Sequence, residues 1–301
     1  MPQFRIFSVA TDALADCNER EGFSLKIRII SAVIGLLILA PVLWFSDTLL
    51  FPIALALCGA LAAYEIVSCV GGKKWYVLVP SMIFATLGPL LTEWVAKGVT
   101  GYIAFLAMMA FVYLFLLLAI AVFTGGSLKY SVVAEAVIGV VYAVVGFTSI
   151  ALLRRISGGE YLFVMIFVGA WVTDTMAYFT GFFLGKHKLC PKISPKKTVE
   201  GSVGGIAFCA LAFLLYGFVV NKIVGVTPNY PMLFVGGVLI SVVSQIGDLA
   251  ASLIKREHGV KDYGSLMPGH GGVMDRFDSI LAVAPMLLVL CGFAPAFAFF
   301  Y

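Results

Sequence analysis

Long apolar runs constrain the fold of this chain more than any other feature. Hydrophobic residues make up 61% of the 301 positions and charged residues only 12%. A helix needs about 20 apolar residues to cross a bilayer, and nine runs approach that length. The sequence therefore predicts an all-α polytopic membrane protein with about nine transmembrane helices. The runs fall at about residues 27–45, 48–70, 75–96, 101–123, 132–153, 161–184, 204–220, 231–250 and 279–300.

The chain divides into three predicted parts. Residues 1–26 form an N-terminal prefix, which we expect in the cytosol as either a surface helix or a plain tail. Residues 27–160 hold the N-terminal transmembrane helices. Residues 161–301 hold the C-terminal transmembrane region, where we expect catalysis. The six cysteines form no C-x-x-C pair, so we predict neither a zinc site nor a disulfide scaffold.

The basic residues predict an orientation. With nine spans, the side that holds the N-terminus receives sixteen of the 20 Lys and Arg residues. Since basic loops stay in the cytosol, both long polar loops, 185–202 and 255–279, are expected there. The pair Arg154 and Arg155 is an exception, because it falls on the other side. A net charge of +4, scattered along the chain, does not suggest nucleic acid as a partner.

Asp174 and Glu65 are two acids well inside apolar runs. Asp174 shares a helix face with Tyr178, and Gly181 and Gly185 extend that face toward the basic loop. Such an acid either lines a functional cavity or makes a structural hydrogen bond between helices. For Glu65 in the second run, the same two readings stay open, and the sequence assigns it no role.

The loop at 185–202 is rich in lysine. Ser194, Lys196 and Lys197 suit phosphate groups, and the run Gly201–Gly205 opens the seventh span, where backbone N–H groups favour anions. The alternative is that these lysines only set membrane topology. Composition does not separate the two readings.

The loop at 255–279 combines charge with glycine. Asp248, Ser252 and Lys255 share one helix face, while Asp275 and Asp278 lie three residues apart at the start of the last span. The three acids are candidate ligands for magnesium, which carboxylates and substrate phosphates commonly hold together. The alternative is a solvated, salt-bridged loop whose acids cap the last helix. Nearby groups that could contact phosphate are Arg256, Lys261, His270 and Arg276, whereas His258 is expected to be solvated.

The run SLIKREHGVKDYGSLMPGHGGVMDRFD, residues 252–278, closely resembles the signature of the phosphatidate cytidylyltransferase (CDP-diacylglycerol synthase) family. The segment from Asp174 through GKHKLCPKISPKKTVEGSVGG is similar to a second shared region. The resemblance implies a multi-pass enzyme of the plasma membrane, with its catalytic loops on the cytosolic side. It would convert CTP and phosphatidic acid into CDP-diacylglycerol and pyrophosphate in phospholipid biosynthesis, with magnesium required. A neighbouring potassium ion and a homodimer are also implied.

The resemblance assigns roles to residues by position. Asp248 and Asp275 would hold the metal with Asp278 beside them, and Lys197 and Lys255 would act with them in catalysis. Substrate contacts would come from Asp174, Ser194, Lys196, Lys197, Arg256, Lys261, His270 and Arg276. Two rival functions remain open: a CTP-dependent kinase of a polyprenol-type lipid, and an ion-coupled transporter that uses the intramembrane acids.

Overall fold

The computed structural model describes residues 39–93, 99–266, 271–292 and 298–301, together with Gly35 and Leu37. The predicted prefix, most of the first predicted span and His270 lie outside these residues. Eight α-helices follow residue 49, with a 3₁₀ turn at Leu91–Glu93 after the second. They are α1 (Leu50–Cys69), α2 (Trp75–Leu90), α3 (Val99–Phe123), α4 (Tyr130–Arg155), α5 (Gly159–Leu184), α6 (Val199–Val224), α7 (Tyr230–Glu257) and α8 (Met274–Gly292).

Six of these helices, α1 and α3 to α7, are long and apolar enough to cross a membrane. The helix α2 is apolar but has only 16 residues, and α8 begins with the charged residues Asp275, Arg276 and Asp278. The predicted helical, multi-pass membrane architecture is thus confirmed. The count of nine spans stays a prediction.

Helix α4 lies at the centre of the bundle. It packs against α1, α2, α3, α5 and α8, and it is the most buried of the six long apolar helices. Helices in a membrane pack closely where their facing residues are small, because the hydrophobic effect does not drive helices together in lipid. A side chain at Gly146, for example, would put its Cβ 2.8 Å from Cβ of Leu281 on α8.

The glycine run at 201–205 packs helices together. The helix α6 begins earlier than the apolar run indicated, at Val199, because Thr198 caps it: Thr198 Oγ1 accepts the Gly201 N–H at 3.1 Å. Cβ atoms on Gly204 and Gly205 would meet Thr180 and the Thr173 carbonyl of α5. Gly204 and Gly205 therefore let α5 and α6 approach each other, and the expected preference of this run for an anion stays a prediction.

The loop between α5 and α6 is a small hairpin. Strand β1 (Lys188–Cys190) pairs antiparallel with β2 (Ser194–Thr198). The all-α prediction missed these strands, because SPKKT has no apolar alternation to mark it.

The loops gather at two opposite ends of the bundle. At the polar end, the segment after α7 and the start of α8 meet α1 at Glu65. His258 Nε2 there lies 2.9 Å from Glu135 Oε2 of α4, so the expectation that His258 is only solvated is wrong. At the far end, Arg154 Nε donates to Ser46 Oγ at 2.9 Å, and Arg155 donates to the Thr92 carbonyl.

Candidate active site

A cavity of about 700 Å³ opens at the polar end, between α5, α6, α7, the hairpin and the start of α8. Side chains that are far apart in the sequence meet there because α5, α6, α7 and α8 pack against one another. The cavity is lined by seven of the residues to which the sequence assigns a site role: Asp174, Ser194, Lys196, Lys197, Asp248, Asp275 and Asp278.

One ion pair crosses the cavity wall. Strand β2 places Lys197 Nζ against Asp248 Oδ2 of α7. One turn further along α7, Ser252 Oγ donates to Asp248 Oδ1 at 3.4 Å. Both charged side chains keep about a quarter of their surface exposed, 26% for Lys197 and 25% for Asp248. Solvent therefore screens the pair, and we assign it a role in placing the two charges rather than in stability.

A second ion pair is buried beside the cavity. Lys255 Nζ lies 2.7 Å from Asp275 Oδ1, and the two side chains are 9% and 3% exposed. Asp275 Oδ2 accepts the backbone N–H groups of Tyr263 at 2.8 Å and Gly272 at 3.0 Å. Removing one partner of such a pair typically costs about 3–5 kcal/mol. Lys255 therefore acts as a buried counter-ion of Asp275, and it does not line the cavity.

Ser279 links the two remaining cavity acids. Its backbone N–H donates to Asp278 Oδ1 at 2.8 Å, and its hydroxyl donates to Asp174 Oδ2 at 3.1 Å. Asp174 thus makes the hydrogen bond between helices that one sequence reading expected, while it also faces the cavity. Its predicted contact with substrate stays a prediction.

The cavity acids are candidate ligands for the predicted magnesium ion. Among the described residues, no group of three or more His, Cys, Asp or Glu side chains is placed to hold a metal. A carboxylate offers about four acceptor positions, and Asp278 uses one for Ser279. Asp248 and Asp278 both present hard oxygen donors to one cavity, which suits magnesium that also binds water and phosphate. The oxygen donors of Asp248 and Asp278 are of the type that magnesium prefers, and the metal assignment stays a prediction.

Besides Lys255, three other predicted basic residues lie outside the cavity lining. Lys261 and Arg276 are exposed. Arg256 donates to the carbonyls of Ile193 at 3.4 Å and Val260 at 3.1 Å, so it ties the hairpin turn to the segment after α7. Their predicted contacts with phosphate remain predictions, as does that of His270.

The cavity also contains residues that sequence reasoning did not assign to substrate. Lys188 adds a cation from β1. Gln245 Nε2 donates to the Ser202 carbonyl at 3.2 Å and ties α7 to α6. The rings of Tyr178 and Phe182 stack with centroids 6.3 Å apart on the wall formed by α5. The spacing from Asp174 through Tyr178 to Phe182, four residues each, was the signal that could have found Phe182.

These features define a polytopic helical membrane protein with a cavity of carboxylates and lysines at one end of its bundle. The model of the cytidylyltransferase family matches residues 26–294. The chain belongs to this family of nucleotidyltransferases, which confirms the resemblance seen in the signature.

Curated relatives cover almost the whole chain. The phosphatidate cytidylyltransferase of Staphylococcus haemolyticus is 34% identical over 269 residues, which cover 88% of this chain and 98% of that protein. The phosphatidate cytidylyltransferase of Staphylococcus epidermidis is 33% identical over 267 residues with the same coverage. That of Staphylococcus aureus is 32% identical over 274 residues, again with 88% and 98% covered.

Proposed function

We propose that this chain is a phosphatidate cytidylyltransferase, which converts CTP and phosphatidic acid into CDP-diacylglycerol and pyrophosphate. The observation that carries the proposal is the cavity at the polar end, where Lys188, Lys196 and Lys197 face Asp248 and Asp278. The names of the relatives supply the substrates. A transporter would string its acids through several helices, whereas here four acids meet in one cavity.

The proposed reaction needs charge neutralisation more than a base. A phosphate oxygen of phosphatidic acid attacks the α-phosphorus of CTP, the bond from that phosphorus to the bridging oxygen breaks, and pyrophosphate leaves with the electron pair. The nucleophile is already anionic at neutral pH, so catalysis depends on aligning two polyanions and neutralising their repulsion. Positive charge along the cavity wall comes from Lys188, Lys196 and Lys197. Asp248 keeps Lys197 in place.

Asp248 and Asp278, which face the cavity, would hold the magnesium ion, with Asp275 beside them. When bound, this ion would neutralise phosphate charge and stabilise the pyrophosphate leaving group. Asp275 already uses both oxygens for Lys255 and two backbone N–H groups, so its main task is to fix the loop beside the metal. Potassium near magnesium is a further part of the proposal, which the family resemblance supports.

The aromatic wall suits the lipid substrate. Tyr178 is 66% exposed and Phe182 is 70% exposed, and both line the cavity while belonging to an apolar helix. They offer an apolar surface on which acyl chains can lie while the phosphate reaches the lysines. We further propose a homodimer in the plasma membrane, with nine spans and the polar end in the cytosol.

The proposal is tested by following two labels. Full-length protein in detergent, with phosphatidic acid and magnesium, receives CTP labelled at either the α- or the γ-phosphate. We expect the α-label in lipid, the γ-label in pyrophosphate, and no transfer without magnesium. Asp275→Asn and Asp278→Asn should abolish both signals, while Glu257→Gln, an exposed acid at the end of α7, should keep them.

Each rival function gives a different result in this assay. A CTP-dependent lipid kinase would place the γ-label in a polyprenol-type alcohol and release CDP, which would contradict the proposal. If neither label moves with any lipid acceptor, the enzyme assignment fails, and uptake into vesicles would be measured instead.

A further inference from the structure

We propose that Glu65 on α1 is a positioning residue for nucleotidyl transfer, because it holds the first turn of α8, which carries Asp275 and Asp278. This inference rests on the proposed function and extends it to a helix outside the cavity. Glu65 itself does not line the cavity, so its effect must pass through the backbone of α8.

The contacts that support this role are two backbone hydrogen bonds. Glu65 Oε1 accepts the Val273 N–H at 2.9 Å, and Oε2 accepts the Met274 N–H at 2.8 Å. These donors have no partner within α8, because the first N–H groups of a helix never do. The preceding N–H, of Gly272, donates to Asp275 Oδ2. Three successive backbone donors are thus held by two carboxylates, one from α1 and one from α8.

The cost of this arrangement indicates that it serves more than helix capping. Glu65 is only 5% exposed and lies on a helix that can cross the membrane, where a carboxylate is expensive. A Ser, Thr, Asp or Asn just before the helix would satisfy a free N–H at lower cost. Such a local cap would not fix α8 relative to α1. Glu65 does so, since it joins positions 208 residues apart.

Three glycines before α8 lie close to the carboxylates of Glu65 and Asp275. A Cβ on Gly272 would lie 2.3 Å from Glu65 Oε1, and a Cβ on Gly264 would lie 2.6 Å from the same oxygen. Gly271 has a φ of +81°, and its Cβ would come 2.8 Å from Asp275 Oδ2. Gly264, Gly271 and Gly272 therefore lie closely against Glu65 and Asp275, and a shift of Glu65 must move the start of α8.

The first experiment replaces the acceptor. In Glu65→Gln, an amide NH₂ takes the place of one oxygen and opposes the N–H of Val273 or Met274. Groups that orient metal ligands typically contribute about 10- to 100-fold to affinity or activity. We expect kcat/KM for CTP to fall by about that factor and the magnesium concentration for half-maximal activity to rise. Amide hydrogen exchange at residues 272–274 should become faster.

A second variant and a control separate positioning from general stability. Glu65→Asp keeps the charge but withdraws the carboxylate by one methylene, so its magnesium requirement should lie between those of the wild type and Glu65→Gln. Tyr113→Phe removes the buried 2.7 Å hydrogen bond to Ser81, between α2 and α3. This control should lower thermal stability and leave the magnesium requirement unchanged.

The proposal is overturned if both Glu65 variants keep the wild-type magnesium requirement and lose activity only in proportion to folded protein, as Tyr113→Phe does. Unchanged exchange at residues 272–274 in Glu65→Gln would also overturn it. The exchange measurement needs no substrate. It therefore tests the Glu65 contact even if the wild-type protein proves inactive on CTP, in which case only the proposed function fails.

Discussion

Lys196 and Lys197 are neighbours on β2 but have different surroundings. Lys197 reaches Asp248 on α7, whereas Lys196 is exposed at the cavity edge. Because Lys197 is fixed by its partner, it presents charge at a defined place. We expect Lys197→Met to lower kcat/KM for CTP at least about tenfold, or about 1.4 kcal/mol of transition-state stabilisation, and Lys196→Met to lower it less. Steady-state kinetics of the two variants checks this order, and equal losses would contradict it.

Gly272 and Glu65 should show a coupled effect on stability. Gly272→Ala places a Cβ against the Glu65 carboxylate and no other side chain comes as close among the described residues. In a Glu65→Ala background that obstacle is gone, so the alanine at 272 should cost less. Coupling energies between residues in contact are about 0.5–3 kcal/mol. Unfolding in detergent of the two single variants and the double variant measures this energy, and strictly additive losses would count against the contact.

The sequence marks the individual acids of the cavity, but it does not reveal which residues they contact. Asp174 and Asp248 stand out because a carboxylate in an apolar run is costly and rarely accidental. Asp248 lies in one cavity with Asp275 and Asp278, as expected, and Asp174, which was not grouped with them, lies there too. Lys255 shares a helix face with Asp248, yet it turns to Asp275, because the loop after α7 folds back. No local pattern reveals such a contact, or that of Glu65 with α8.

Apolar runs predict helices better than they predict helix ends. The seventh run, 204–220, underestimates α6, which covers Val199–Val224. The apolar run marks the part that lipid or other helices cover, and the helix continues into polar residues on both sides. The signal for its start was present in Thr198, an ordinary N-cap residue with Glu200 two positions later.

The cap of α6 gives a prediction at the scale of an element. Thr198→Ala removes the acceptor of the Gly201 N–H, and N-cap losses usually cost about 0.5–2 kcal/mol. We expect the free energy of unfolding to fall within that range, as measured by denaturant unfolding in detergent. Thr175→Ala, an exposed threonine within α5, is the matched control and should change it little. A Thr198→Ala variant as stable as the control would refute the capping role.

At the scale of the whole molecule, the bundle separates charge between its two ends. Of the lysines and arginines that the structure describes, most lie in loops at the polar end, and Lys188, Lys196 and Lys197 line the cavity. The exceptions Arg154 and Arg155 have partners at the far end, Ser46 and the Thr92 carbonyl. These hydrogen bonds give Arg154 and Arg155 a structural role at the far end. The preference of basic loops for the cytosol therefore still applies to the other loops.

This separation predicts the orientation in the membrane, which cysteine labelling can test. In a variant with the native cysteines changed to serine, Lys186→Cys marks the polar end and Ser157→Cys marks the far end; both positions are exposed. Because the positively charged end should stay in the cytosol, an impermeant maleimide added to intact bacterial cells should label Ser157→Cys at once. Lys186→Cys should react only after the membrane is opened. The reverse pattern would place the cavity outside, away from cytosolic CTP, and would contradict the proposed function as well as the orientation.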